Sequence, residues 1–484
     1  MSAMDKLRLL PLILPLAAAM TAFAARPNVV FVLTDDLGYG DVGWTWQGTA
    51  PTNRIATPFL DRLAREGVVL SSHYCAAPVS APSRASLLTG RRQGRCSVRN
   101  NQFDHPLAET ETLGTLMRSA GYATYAVGKW GVAGGGESGK PRTAHPLDRG
   151  FDHFYGFLDH LAGHTYYHFN GFLNGAYMGV QEDRTNATET AVGRYSTDLF
   201  TARAKAYLSD LAARPSAERP PFFLYFAVNT VHGSGRSDDS LACKETLHVP
   251  GAPYPADGAV WPLAAEPRAL RNTWIDPQYA HLPKYPARYA TAITRLDHAL
   301  ADFMAHLEKL GFADNTILVF TSDNGPTDEY GADTRFFQST GPFDGFKRDV
   351  YEGGLRVPTF VWRKGGFATH TDASPSISVD WMATLADLAG VQPPAACDGV
   401  SLLPRWTGEG TVRPSTVAVE YTGPASGQPD FKEFAARKHH LVRGAQRMYR
   451  EGDTVHLQAG GTNKPWRVYN VVKDPHQDHD LAEK

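Results

Sequence analysis

Cysteine is scarce. Cys75, Cys96, Cys243 and Cys397 are the only four in 484 residues. So thin a supply excludes a disulfide-scaffolded fold, and the spacing is not that of a zinc site. An excess of one charge is missing too: 48 Lys and Arg stand against 50 Asp and Glu, a formal charge of −2. That balance removes any global electrostatic reason for a nucleic-acid or anionic-membrane partner. Internal repeats and low-complexity tracts are absent, which excludes solenoids and arrays. The first two dozen residues hold a long apolar run, LLPLILPLAAAM, but it is short and proline-broken for a spanning helix. Lys6 and Arg8 precede it, and Ala22 and Ala24 follow it. That layout predicts a signal peptide over 1–24 and an exported chain, periplasmic or secreted, with no stable membrane insertion. Asn186 opens a glycosylation sequon, which matters only in a host that glycosylates.

What is present is ample core. Hydrophobic residues make up 42% of the chain and charged residues 20%, enough for one large domain and a small one. Apolar runs at 28–33, 122–130, 221–232 and 315–325 read as strands, each ending in polar residues. Residues 57–67 predict a helix with Thr57 as N-cap and Pro58 in the first turn. Tyr289, Ile293, Leu296, Leu300, Phe303, Leu307 and Leu310 recur at steps of three and four, so 287–310 predicts a long helix with one buried stripe. Strands alternating with helices give an α/β fold with a largely parallel sheet covered on both faces. Past residue 405 the texture changes to short antiparallel strands, predicting a main domain over 25–405 and a subdomain over 406–484. Residues 233–285 read as a long irregular insertion.

Parallel sheets collect functional groups at the carboxyl ends of their strands. Asp35, Asp36, Lys129, His232, Asp323 and Asn324 each follow an apolar strand. Three carboxylates and an amide converging there repel one another unless a cation sits among them, and oxygen donors suit calcium or magnesium. Caps of turns and helices are the bland alternative for each acidic pair. Arg84, Lys129, Lys347 and His232 add the cationic side of a pocket for a tetrahedral oxyanion.

The stretch VSAPSRASLLTG, 79–90, sets Ser80 at the start of an apolar helix with Pro82 in its first turn. Helix N-termini favour anions, so a nucleophile there acts beside the metal and the cations; an N-cap is the plainer use of such a serine. SAPSRASLLTG resembles the sulfatase signature: Cys or Ser, any residue, Pro-Ser-Arg, three residues, Leu-Thr-Gly. RPNVVFVLTDDLGYGDVG, TPFLDRLAREG, GYATYAVGKW, TILVFTSDNG, GFKRDVYEGGLRVP and VYNVVKDPHQDHDLA are similar to further sulfatase segments in the expected order. The resemblance covers nearly the whole mature chain. It implies an alkaline-phosphatase-like mixed sheet sandwiched by helices, with a small C-terminal antiparallel sheet. It implies that Ser80 is oxidised to formylglycine, whose hydrate attacks sulfur. It implies one calcium ion on Asp35, Asp36, Asp323, Asn324 and residue 80. Arg84 would orient the diol, Lys129 and Lys347 would neutralise sulfate oxygens, and His232 would protonate the leaving alcohol. A serine in the signature implies an anaerobic, radical-type maturase as partner, and a bacterial source.

One position departs from the pattern. The family usually reads Gly-Lys-Trp-His, whereas Gly131 stands here in place of the histidine. His164 is the expected substitute, with His160 and His168 as rivals; His160, Tyr166 and His168 are otherwise expected to touch substrate. The expected substrate is a sulfated glycan, most closely a galactose or N-acetylgalactosamine sulfate, held by loops around 159–171, 233–285 and 420–434. A phosphodiester or phosphonate hydrolase of the same superfamily and a degenerate glycan-binding protein are the alternatives.

Overall fold

The computed structural model describes residues 26–46, 53–101, 105–135, 141–173, 175–234, 247–329, 332–422 and 445–483. The expected signal peptide, Cys243 and much of the 420–434 loop therefore lie outside the described residues. Among those described, no helix is long and apolar enough to cross a membrane.

Ten strands make the central sheet: β1 (Asn28–Thr34), β2 (Val68–Leu70), β3 (Ala123–Lys129), β4 (His153–Phe157), β5 (Gln181–Glu182), β6 (Thr185–Asn186), β7 (Phe222–Ala227), β8 (Thr316–Ser322), β9 (Phe360–Arg363) and β10 (His370–Asp372). Their spatial order is β10-β2-β9-β8-β1-β7-β3-β4-β5-β6. The middle five, β8-β1-β7-β3-β4, run parallel. Flanking strands β9 and β5 pair antiparallel with them.

The central strands are apolar on both faces because helices cover both. Val30, Val32, Leu224, Phe226, Leu318 and Phe320 point into one core, with α1 (Pro58–Glu66), α4 (Ser196–Ala212) and α5 (Lys284–Lys309). Their neighbours Val29, Phe31, Phe223, Tyr225, Ile317 and Val319 point into the other, with α2 (Ser80–Thr89), α3 (Leu113–Ser119) and the helix Asp380–Ala389. That is the two-residue alternation of a strand read against two layers of helix.

The long helix begins three residues earlier than its apolar stripe predicts and ends at Lys309 rather than Leu310. Its predicted stripe is buried from Tyr289 to Leu307. Thr57 does precede α1, but its hydroxyl caps no helical N–H; it donates to Asp61 and accepts from the Gly43 amide. The described part of the predicted insertion, 233–234 and 247–285, is irregular apart from one short turn, Pro277–Tyr279, and its last two residues, which already belong to α5. It is fastened to α5, where Arg288 donates to the Leu247 carbonyl and Arg295 to that of Ala252.

After residue 405 the expected antiparallel strands appear as β11 (Ala418–Tyr421), β12 (Gln446–Glu451), β13 (Thr454–Ala459) and β14 (Arg467–Asn470), paired in that order. Val419, Met448, Val455 and Leu457 form a third core with Tyr74, Val79 and Tyr351. The small sheet is thereby packed against the segments around residue 80 and residue 350. Cys75, Cys96 and Cys397 are free thiols.

Candidate active site

Register brings the acids together. Thr34 of β1 lies opposite Ser322 of β8, so the residues that leave these two strands emerge side by side. Asp35 and Asp36 follow one strand; Asp323 and Asn324 follow the other. Asp36 has φ 60, left-handed for a residue with a Cβ, a conformation that costs energy and clusters at functional sites. Its amide is held by the Asp323 carboxylate at 3.2 Å, and its own carboxylate accepts from the Asn324 amide at 2.7 Å.

Ser80 is the first residue of α2, and Val79 holds the N-cap position. The serine is therefore not the cap. Its hydroxyl lies 3.0 Å from Asp35 Oδ1 and 3.2 Å from Asn324 Oδ1, fully buried. Arg84 lies four residues on, on the same face of the helix. Its guanidinium donates to Asp323 at 2.9 Å and approaches Asp35 at 3.6 Å. The Gly90 that ends α2 is left-handed at φ 65, and a Cβ there would meet Met382 at 2.4 Å. That glycine stops the helix and lets it seat on its neighbour.

Lys129 ends β3 and bonds Asp35 at 2.6 Å; Lys347 bonds Asp36 at 2.8 Å. His232 donates from Nδ1 to the Gly233 carbonyl at 2.8 Å. Its Nε2 then faces the cluster, 3.2 Å from Lys347 Nζ and 3.6 Å from Asp36. The structure thus gathers Ser80, Arg84, Lys129, His232, Lys347, Asp35, Asp36, Asp323 and Asn324 at one end of the parallel strands.

Burial dominates the electrostatics. It pushes the Asp323 carboxyl up to about 7, helped by Asp35, and pushes Asp36 up as well. Asp35 ends well below the usual carboxylate range: burial raises it, but the cations Lys129, Arg84 and Lys347 together outweigh burial. Burial, with Lys347 beside it, drives His232 down to about 3, so the imidazole is neutral. Three carboxylates face three permanent cations, so the described cluster is close to charge-balanced. A divalent cation would fit, because oxygen donors from Asp35, Asp36, Asp323 and Asn324 converge there. It would leave a net positive pocket for an anionic ester. Asp35, Asp36 and His232 also bring ligand atoms within 4.8 Å of one another. We exclude His232 from the donor set because its Nε2 abuts an ammonium group.

Two residues escaped the sequence reading. Glu329 lies 3.6 Å from Lys347 and 2.9 Å from Arg348. Burial pushes its carboxyl up, but Lys347 and Arg348 pull it down to about 2. Asn229 takes the Ser196 hydroxyl and donates to the Thr165 carbonyl, bracing the turn that carries His232. Glu329 stands at no strand end and in no recognisable motif, so sequence carried no signal for it; Asn229 lies two residues past β7, in the same polar strand ending that pointed to His232. Because Glu329 is depressed, its stabilising contribution is complete above the normal carboxylate value and is lost as pH falls towards 2. Glu329→Gln should therefore flatten the acid limb of unfolding free energy measured by urea titration between about pH 5 and pH 2.

The predicted histidines and tyrosine separate. Gly131 is left-handed at φ 75, and a Cβ built there would lie 3.7 Å from His160 Nδ1 and 3.4 Å from Lys129 Cε. His160, not His164, therefore occupies the space beside Gly131. His164 instead packs on His232, ring centres 4.3 Å apart. His168 is a core residue wedged against Phe157 and Phe200, bonded to the Met178 carbonyl. Its expected contact with substrate is withdrawn. So is that of Tyr166, which is buried and whose hydroxyl donates to the carbonyls of Asn229 and His232. Tyr166 supports the His232 turn from beneath.

A mixed sheet sandwiched by helices, with acids, a helix-start serine and buried cations at its carboxyl edge, defines a hydrolase of oxyanion esters. The Sulfatase family model matches residues 27–391, and the chain belongs to that family, whose members hydrolyse sulfuric esters. It is 29% identical over 440 residues to N-acetylgalactosamine-6-sulfatase of Mus musculus, covering 84% of this chain and 71% of the other. It is 30% identical over 423 residues to the Rattus norvegicus enzyme of that name, covering 81% and 69%. Among solved structures, Ps i-CgsB in complex with k-i-k-neocarrahexaose has TM-score 0.68 at 24% identity, over 95% of this chain and 89% of the other. The fold is also that of a phosphonate monoester hydrolase of Agrobacterium radiobacter, with TM-score 0.58 at 19% identity, over 94% and 92%.

Proposed function

We propose that the chain is an exported carbohydrate sulfatase acting on a galactose or N-acetylgalactosamine sulfate, with formylglycine made from Ser80 and one calcium ion. The observation that carries the reading is the Ser80 hydroxyl, 3.0 Å from Asp35 inside a buried ring of carboxylates and cations. The names of the N-acetylgalactosamine-6-sulfatase relatives support the sugar. Asp35, Asp36, Asp323 and Asn324 would hold the calcium ion, which supplies positive charge for the nucleophile and the ester. Formylglycine would supply, when hydrated, a geminal diol whose second hydroxyl a plain serine lacks.

The remaining work falls to residues in place. Arg84, anchored on Asp323, fixes the orientation of residue 80. Lys129 and Lys347, buried on either side of the acids, present ammonium groups to sulfate oxygens. His232 is neutral in the free site, so it cannot donate a proton as it stands. The negative ester arriving beside Nε2 raises its proton affinity, so the imidazole takes up one proton from solvent at Nε2 as the ester binds and then delivers it to the departing alcohol oxygen, returning to the neutral form. A radical-type maturase is the partner implied by serine.

Peptide mass spectrometry of residue 80 from the native host tests this. The peptide ending at Arg84 should be lighter by about two mass units, the loss of two hydrogens. The same preparation should release sulfate from N-acetylgalactosamine 6-sulfate and turn over aryl sulfates faster than aryl phosphates and phosphonates. Unmodified serine with glycan binding but no release would favour the degenerate binding protein. Preference for phosphonate would favour the other hydrolase.

A further inference from the structure

The outer face of the C-terminal sheet is built unlike an ordinary solvated strand face. Tyr449 and His456 are cross-strand partners, and their rings stack 4.4 Å apart with planes inclined by 3°. Trp466 meets Tyr449 edge-on at 5.4 Å. The Arg447 guanidinium lies over the Trp466 ring at 4.9 Å and is held there by Gln458 at 2.7 Å. These side chains project from the face opposite Val419, Met448, Val455 and Leu457, which are buried. Beside them runs a groove of about 450 Å³ whose far wall carries Arg92 and Arg95. Both side chains are well exposed, at 40% and 53%, and both lean on Asp398, which is nearly buried. Glu420 lines the same groove, its carboxylate beside Gly94.

We propose that this groove is a second binding site, for a sulfated saccharide unit distant from the one being hydrolysed. Planar aromatic side chains suit the apolar faces of sugar rings, and fixed guanidinium forks suit sulfate oxygens. The carboxylate of Glu420 takes sugar hydroxyls and repels sulfate, which sets the register of the chain in the groove. β12, the strand that carries Arg447, is tied through its buried residue Gln446 to the segment that bears Lys347. Gln446, the residue before Arg447, donates to the Arg348 carbonyl at 3.0 Å and accepts from the Val350 amide, next to Lys347. The arginine wall follows the far end of α2, so it stands on the order of 15 Å from Ser80, ten residues at the helical rise. One monosaccharide cannot reach both; an oligosaccharide can. The ligand class rests on the sulfated-glycan reading above, whereas the existence of the site rests on the groove.

The test compares the wild-type protein with Trp466→Ala/Arg447→Ala on two probes. One is N-acetylgalactosamine 6-sulfate; the other is a hexasaccharide carrying 6-sulfated N-acetylgalactosamine. Binding is measured by calorimetry on protein whose residue 80 is unmodified, so no turnover is needed. The expected result is a loss of about tenfold in hexasaccharide affinity with monosaccharide affinity unchanged. Equal affinities for the hexasaccharide in both proteins overturn the inference, as does an equal loss on both probes. Trp466→Phe should recover most of the loss, which a merely structural defect would not allow. Failure of the wild-type enzyme to release sulfate from either probe counts against the functional reading, and leaves the binding comparison to decide the groove.

Discussion

Asp35→Asn is expected to lower the unfolding free energy by about 3–5 kcal/mol and to abolish measurable turnover. Asp35 is the most connected group in the site: it bonds Lys129 at 2.6 Å, lies 3.6 Å from Arg84 and takes the Ser80 hydroxyl. All of these are buried. Asparagine keeps the shape but removes the charge, so Lys129 and Arg84 are left in a dry site with too little counter-charge. Breaking a buried pair from one side is costly for that reason, whereas loss of an exposed pair is nearly free. Urea unfolding reads the stability term, and sulfate release reads the other. Calcium sharpens the measurement. If the acids hold it, saturating calcium at about 100 times its dissociation constant stabilises the wild type by about 2.7 kcal/mol and the variant by much less. A variant that unfolds like the wild type would show that the charges near Asp35 are compensated from elsewhere.

How much of this was legible beforehand follows from what kind of interaction sets each feature. The central strands were readable because both faces are covered, which leaves uninterrupted apolar runs ending in polar groups. Asp35, Lys129 and Asp323 were readable because those ends collect at one edge. Lys129 in particular stands where an apolar strand tolerates lysine poorly, and its Asp35 partner explains it. Glu329 was not readable, since its role depends on where Lys347 and Arg348 arrive from distant segments. The histidines of 160–168 were only partly readable for a related reason. Their spacing says that they cluster, but a short helical turn, His160–His164, sets which ring lies beside Gly131 and which packs on His232. His168 and Tyr166 turn inward because the bulk of Phe157, Phe200 and Tyr195 surrounds them. Sequence alone does not reveal such orientation.

His160→Ala should reduce sulfate release by about 10²–10⁴-fold, the usual span for losing a positioned proton-transfer group, while His164→Ala should cost about tenfold. The asymmetry comes from placement. His160 lies 3.7 Å from where a side chain on Gly131 would begin and shares that space with Lys129 and Arg84, two of the cations around residue 80. His164 contacts His232 and acts through that ring. A purely structural role for His160 would give similar losses for every substitution, so a relocated histidine is the deciding variant. Gly131→His in the His160→Gly background puts an imidazole back from the other strand. The backbone at φ 75 disfavours a side chain by about 1–3 kcal/mol, so recovery should be partial. The Cβ itself has room, with its nearest neighbours at 3.4–3.7 Å, and the His160 ring is one of the groups bounding that room. Gly131→His alone should therefore be worse than the paired change. If the single variant is the more active, or if His164→Ala is the more damaging loss, the space beside Gly131 is not where this enzyme keeps its histidine.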